Sequence, residues 1–117
     1  MRKPEIVPAL KYHFDDLGEK VRRSGRAIAV VLVGKTIGIG GYYFDSGRVV
    51  VYSTITPELR VYRKTIVRGA NIVMGMIESV KAPADAVAAE VPGADNLLEH
   101  FGFERLGRTP TWRRQVH

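Results

Sequence analysis

The stretch that decides the fold is RAIAVVLVGKTIGIGGYYFDSGRVVVYSTITPELR, residues 26–60. Ala27–Val33 is rich in β-branched residues and stops at Gly34, which predicts a strand. Thr36–Phe44 follows, with Ile37 and Ile39 alternating against Gly38 and Gly40, and glycine at such a spacing signals a bulge or a close backbone approach. Asp45-Ser46-Gly47 predicts a hairpin turn and Arg48–Ile55 a third strand. Connections this short leave room only for an antiparallel meander.

Outward from the meander the pattern changes period. From Pro57 to Val80, Leu59, Tyr62, Ile66, Ala70, Val73, Ile77 and Val80 recur every three or four residues, the core-facing stripe of one long helix. Gly69 and Gly75 weaken that helix by about 1 kcal/mol each relative to alanine, and close packing on a sheet would account for them. Ala82-Pro83 ends it. Ala86–Ala89 predicts a short strand, and about 94–101 a helix closed by Gly102. From Leu106 onward, Thr109, Thr111, Trp112 and Val116 predict a final extended segment or hairpin. Towards the N-terminus, Glu5–Val7 predicts a strand. Leu10, Phe14, Leu17 and Val21 predict a helix over about 8–23, with Pro8 in its first turn and an interruption at Gly18. The order β-α-βββ-α-β-α-β implies one α/β domain over residues 1–117: a mixed central sheet, part meander and part crossover, flanked by helices.

Composition narrows the functional classes. The chain has 117 residues, 45% of them hydrophobic, and no cysteine, which excludes disulfides and thiolate metal sites. His13, His100 and His117 lack metal-ligand spacing. Ala27–Val33 is far too short to span a bilayer, and Met1-Arg2-Lys3 leads into Pro4-Glu5 rather than an apolar segment, so neither a membrane partner nor a signal segment is expected. The formal net charge of +6 favours anionic partners: a phosphate-bearing ligand, an acidic protein surface or nucleic acid. Trp112 with Arg113 and Arg114 is either a stacking platform or a tryptophan buried at the sheet edge.

Two segments carry a resemblance. "ITPELRVYRKTIVRG" lies between the third meander strand and the long helix, and "NLLEHFGFERLG" joins the last helix to the last strands. In this order, over roughly residues 27–107, they resemble the GNAT superfamily, the acyl-CoA N-acyltransferases. The family's cofactor segment reads Pro-Glu-Tyr-Arg-Gly-x-Gly-x-Gly or Ala, and its glycines let backbone N–H groups approach the pyrophosphate of coenzyme A. Here Pro57-Glu58-Leu59-Arg60 fits the opening, but the glycine positions fall on Val61, Arg63 and Thr65. The resemblance therefore points to Arg60, Arg63, Lys64 and Thr65 as the residues that would meet acetyl-CoA, with guanidinium groups replacing backbone contacts. Arg60, Lys64 and Arg68, spaced i, i+4, i+8, share one helix face with Arg63 beside them, and the same cluster also reads as a solvated basic stripe.

The family's last helix carries Asn-x-x-Ala-x-x-Leu-Tyr-Glu-x-x-Gly-Phe. Ala94, Leu97, Glu99, Gly102 and Phe103 match. Val91 stands at the asparagine position and Leu98 at the tyrosine that often protonates the departing thiolate, and leucine has no proton to give. A general base is also missing from the third meander strand, whose polar residues are Tyr52, Ser53 and Thr54. Glu90 is the nearest carboxylate by position, and Asp45 is remote in the hairpin. The short chain resembles GNAT-like proteins of bacteriophages, implying a place in the host cytoplasm or the virion. The expected functions are three: a degenerate GNAT-fold binding or virion-associated component, an acyl-CoA-dependent N-acetyltransferase with an altered phosphate loop, or a nucleic-acid-binding protein.

Overall fold

The computed structural model describes residues 3–22, 24–87, 94–106 and 111–114. Its elements run β1 (Glu5–Pro8), α1 (Lys11–Asp16), β2 (Arg26–Leu32), β3 (Lys35–Asp45), β4 (Arg48–Ile55), α2 (Pro57–Arg60), α3 (Arg63–Glu78), β5 (Ala84–Val87), α4 (Ala94–His100), β6 (Glu104–Arg105) and β7 (Thr111–Arg114). The strands form one sheet in the order β1-β2-β3-β4-β5-β7-β6. Among the described residues only the β4–β5 pair is parallel, and α2 and α3 make that crossover. The expected mixed sheet flanked by helices is present.

Both meander turns are two-residue hairpins with positive φ at both central positions: Val33 (51°) and Gly34 (77°), then Ser46 (51°) and Gly47 (78°). This backbone matches the right-handed twist of the strands it joins. Valine is the odd choice, because a β-branched side chain is strained at positive φ. Val33→Asn is therefore expected to stabilise the domain by about 1 kcal/mol, read as a rise in the urea midpoint at constant slope.

The sheet's two faces follow from the register. Val49, Val51 and Ile55 of β4 share a face with Gly38 and Tyr42 of β3 and with Ile28 and Val30 of β2. The α2–α3 unit covers this face. Leu59 sits over Gly38 so closely that a β-carbon there would lie 2.4 Å from its Cδ2, and Gly69 lies against Ile28. Gly38 thus marks a close approach, whereas Gly40 has only ordinary contacts, and the β2–β3 register also shifts between Val30 and Val31. Gly75, by contrast, faces open space, so packing does not explain it. The largest core cluster joins Tyr42, Val49, Met74 and Ile77 to Phe103 and Trp112. On the opposite face α1 seats Phe14 against Ala29 and Ile39.

Several boundaries differ from the sequence expectation. Pro8 closes β1, since its missing N–H is tolerated on an edge strand. The first helix is only Lys11–Asp16, because Gly18 turns the chain at φ 67°. His13 organises its start: the Leu10 N–H donates to His13 Nδ1 at 2.9 Å, and the buried ring leaves Nε2 without a partner among the described residues. The long helix of 57–80 is two helices, broken at Tyr62, whose φ of −100° and ψ of 65° leave the helical region. β5 begins at Ala84, two residues early, and its expected last residues 88 and 89 lie outside the described residues. The final hairpin begins at Glu104 rather than Leu106. Trp112 is buried in the main core and does not offer a stacking platform.

Candidate functional site

The segment from Thr56 to Ile66 is where the resemblance places a glycine-rich loop. The structure builds it as two helical turns instead. Pro57 occupies the first position of α2, where its fixed φ and absent N–H suit a helix start. Thr56 ties the segment to β3, its Oγ1 donating to the Ile37 carbonyl at 2.7 Å. The chain's own carbonyls then take up five of the backbone donors. The Leu59 and Arg60 N–H groups donate to Thr56 O, Tyr62 to Leu59 O, and Thr65 and Ile66 to Tyr62 O. Leu59 is buried, and Tyr62, Ile66 and Ile55 pack around it with Val30 and Ile37.

The four residues singled out for cofactor contact divide. Arg60, Arg63 and Lys64 are exposed, whereas Thr65 is buried. The break at Tyr62 puts Arg60 on a different helix from Lys64 and Arg68, so only the latter pair keeps the i, i+4 relation. Glu58 is engaged by Lys35, at 2.7 Å.

Among the described residues β4 and β5 pair at Val49–Ala84, Val50–Asp85 and Val51–Ala86, and β4 itself runs on through residues 52–55. The segment after α1 lies over this stretch. Thr54 Oγ1 donates to Glu19 Oε1 at 2.9 Å, and the Arg22 guanidinium stacks over Tyr43 and Tyr52 at 4.9 and 5.1 Å from the ring centroids. Burial raises the Tyr52 phenol pKa above its ordinary value, with Arg22 opposing, so at neutral pH the group is a neutral donor. Glu19 is therefore a carboxylate delivered to β4 from a loop 35 residues upstream. Sequence reasoning missed it, although Gly18 ending the helix marks where the chain turns back over the sheet. Glu90 and Val91 lie outside the described residues. Asp45 is exposed at the hairpin, towards the opposite end of the β3–β4 pairing from Thr54. Leu98 is half-buried and packs into the main core cluster. Among the described residues no group of three or more His, Asp or Glu side chains has metal-binding placement. Likewise no helix there is long and apolar enough to cross a membrane.

At the far end of β4 a carboxylate ties three strands together. Asp85 Oδ1 accepts from Arg113 Nε and from Arg48 Nη2, both at 2.8 Å. The Arg113 hydrogen bonds, aided by Arg48, hold the Asp85 carboxyl at about 2, below its ordinary 3.8. A depressed carboxylate stabilises the fold above the unfolded-state pKa, and that stability disappears as pH falls from about 4 through about 2. The contribution is at most about 2 kcal/mol, since the arginines are partly solvated. Asp85→Asn should lower stability at pH 7 by about 1–2 kcal/mol and flatten the acid limb below pH 4, as urea unfolding at a series of pH values would show.

No family model and no curated protein matches the chain. Solved structures do. The ribosomal-protein-S18-alanine N-acetyltransferase from Escherichia coli superposes with a TM-score of 0.70 at 11% identity, covering 97% of this chain and 94% of that one. An acetyltransferase of the GNAT family from Staphylococcus aureus MU50 gives 0.70 at 9% identity, covering 98% and 100%. YhhK from E. coli, solved bound to coenzyme A, gives 0.51 at 10% identity, covering 98% of each chain. At such identities the likeness speaks for backbone architecture, and on that evidence the chain has the fold of the GNAT acetyltransferases.

Proposed function

We propose that this chain is a GNAT-fold binding protein that does not use acetyl-CoA in the usual way. One observation carries the reading: where the fold family places a glycine loop for the pyrophosphate, the chain has helical turns. Their N–H groups at Leu59, Arg60, Tyr62, Thr65 and Ile66 are spent on its own carbonyls. Side chains at Val61, Arg63 and Thr65 replace hydrogen atoms where a phosphate would need the backbone. Leu98 in the core, at the position of the usual proton donor, supports the same reading. The resemblance to short phage GNAT-like proteins extends it to a virion-associated component. Calorimetric titration with acetyl-CoA tests it: no saturable heat is expected, and micromolar binding would sink it.

A second reading is an N-acetyltransferase, favoured by Glu19, which accepts from Thr54 near the end of β4. A carboxylate there would take a proton from an amine bound against this end of β4. Acetyl-CoA-dependent acetylation of an amine, reduced about 100-fold by Glu19→Gln, would support it. Absence of turnover, or turnover indifferent to Glu19→Gln, would count against it.

A further inference from the structure

Arg60, Arg63, Lys64 and Arg68 are all exposed on the α2–α3 unit, and among the described residues none has a carboxylate partner. The carboxylates nearest in sequence are already engaged, Glu58 by Lys35 and Glu78 by Arg114. Like charges one turn apart repel, so the free protein gains nothing from this arrangement. A polyanion laid along the helix would offset that cost.

Three kinds of polyanion present themselves, and the surface discriminates among them. An anionic membrane calls for an apolar helix face that can enter the headgroup region. The apolar face of α3, with Val73, Met74 and Ile77, is buried on the sheet. An acidic protein calls for an anchor of aromatic or large aliphatic side chains amid depleted charge. Here the exposed apolar groups are only Val61, Val67 and Ile72, interleaved with cations. A nucleic-acid backbone needs neither, only unpaired cations set along a rigid element, with arginine suited to phosphate oxygens.

We infer that the exposed face of α2 and α3 binds the phosphate backbone of nucleic acid without reading its sequence. The inference names the partner of the binding reading above and rests on it, because a cofactor seated at this segment would claim the same cations. The contacts are electrostatic, made by Arg60, Arg63, Lys64 and Arg68.

Fluorescence anisotropy with a labelled DNA duplex of about 20 base pairs, titrated across NaCl concentrations, provides the test. Four phosphate contacts predict that log K falls against log salt with a slope of about −3.6. Neutralising two of them in Arg63→Gln/Arg68→Gln should bring the slope to about −1.8. The control Lys11→Gln/Lys20→Gln removes two exposed cations elsewhere and should leave the slope near its parent value. Circular dichroism of each variant verifies that it is folded. Failure of the duplex to bind at low salt would overturn the inference, as would a slope unmoved by the α3 variant or equally moved by the control. Binding of poly-L-glutamate in preference to the duplex would assign the surface to an acidic protein and overturn it as well. Acetyl-CoA calorimetry reports on the underlying reading separately: the duplex can fail with no cofactor heat, or cofactor heat can appear whatever the duplex does.

Discussion

Gly41→Ala is expected to destabilise the domain by more than about 3 kcal/mol, and to leave little folded protein. A β-carbon on Gly41 would stand 2.4 Å from the Arg26 carbonyl oxygen and 2.8 Å from both Cα and Cβ of Ala27. These atoms belong to β2, which is hydrogen-bonded to β1 on its other side and cannot recede without breaking that pairing. No rotamer change relieves the clash, because two of the three atoms are backbone. Gly75→Ala is the matched control. Nothing lies within 4 Å of the position on α3, so the added methyl should stabilise the helix by about 1 kcal/mol. Urea unfolding of the two variants should shift the midpoint in opposite directions. Equal shifts would mean that the β2–β3 contact is looser than described.

Trp112→Ala is the second large effect, expected to cost about 3–5 kcal/mol. The indole is 5% exposed, opposite Ala86 across β5, in the cluster with Met74, Ile77 and Phe103. It is the largest side chain in the cluster that joins α3 to β4, β5 and β7. Truncation leaves a cavity bounded by paired strands, which limits collapse. Thermal unfolding followed by near-ultraviolet circular dichroism would report the loss. A cost below 1 kcal/mol would place the ring at the surface, as a stacking platform requires.

How far these features could be read from sequence depends on whether the determinant was local. The meander was legible because its strands are β-branched runs and its hairpins carry Gly34 and Gly47. The α2–α3 break was not, because Val61, Tyr62 and Arg63 are all compatible with a continuous helix. The break arises from tertiary context, with Leu59 drawn down onto Gly38 and Thr56 tied to Ile37. The N-terminal helix was overdrawn because Val21 fits the period of Leu10, Phe14 and Leu17. At the candidate site, Arg60, Arg63 and Lys64 were legible as an exposed cluster, and the loss of the glycines at 61, 63 and 65 could be counted directly. The burial of Thr65 was not legible, because its place in the motif says nothing of which side of α3 it takes. Glu19 was invisible because its partner Thr54 is brought to it only by the folded sheet.

The proposed binding role requires that helical turns on a GNAT-like fold leave no seat for the pyrophosphate of acetyl-CoA. Isothermal titration calorimetry of acetyl-CoA into the folded chain addresses it most directly. Only heat of dilution is expected up to about 1 mM ligand. A saturable isotherm with a Kd of about 10 µM or tighter, abolished by Arg60→Glu/Arg63→Glu, would contradict it.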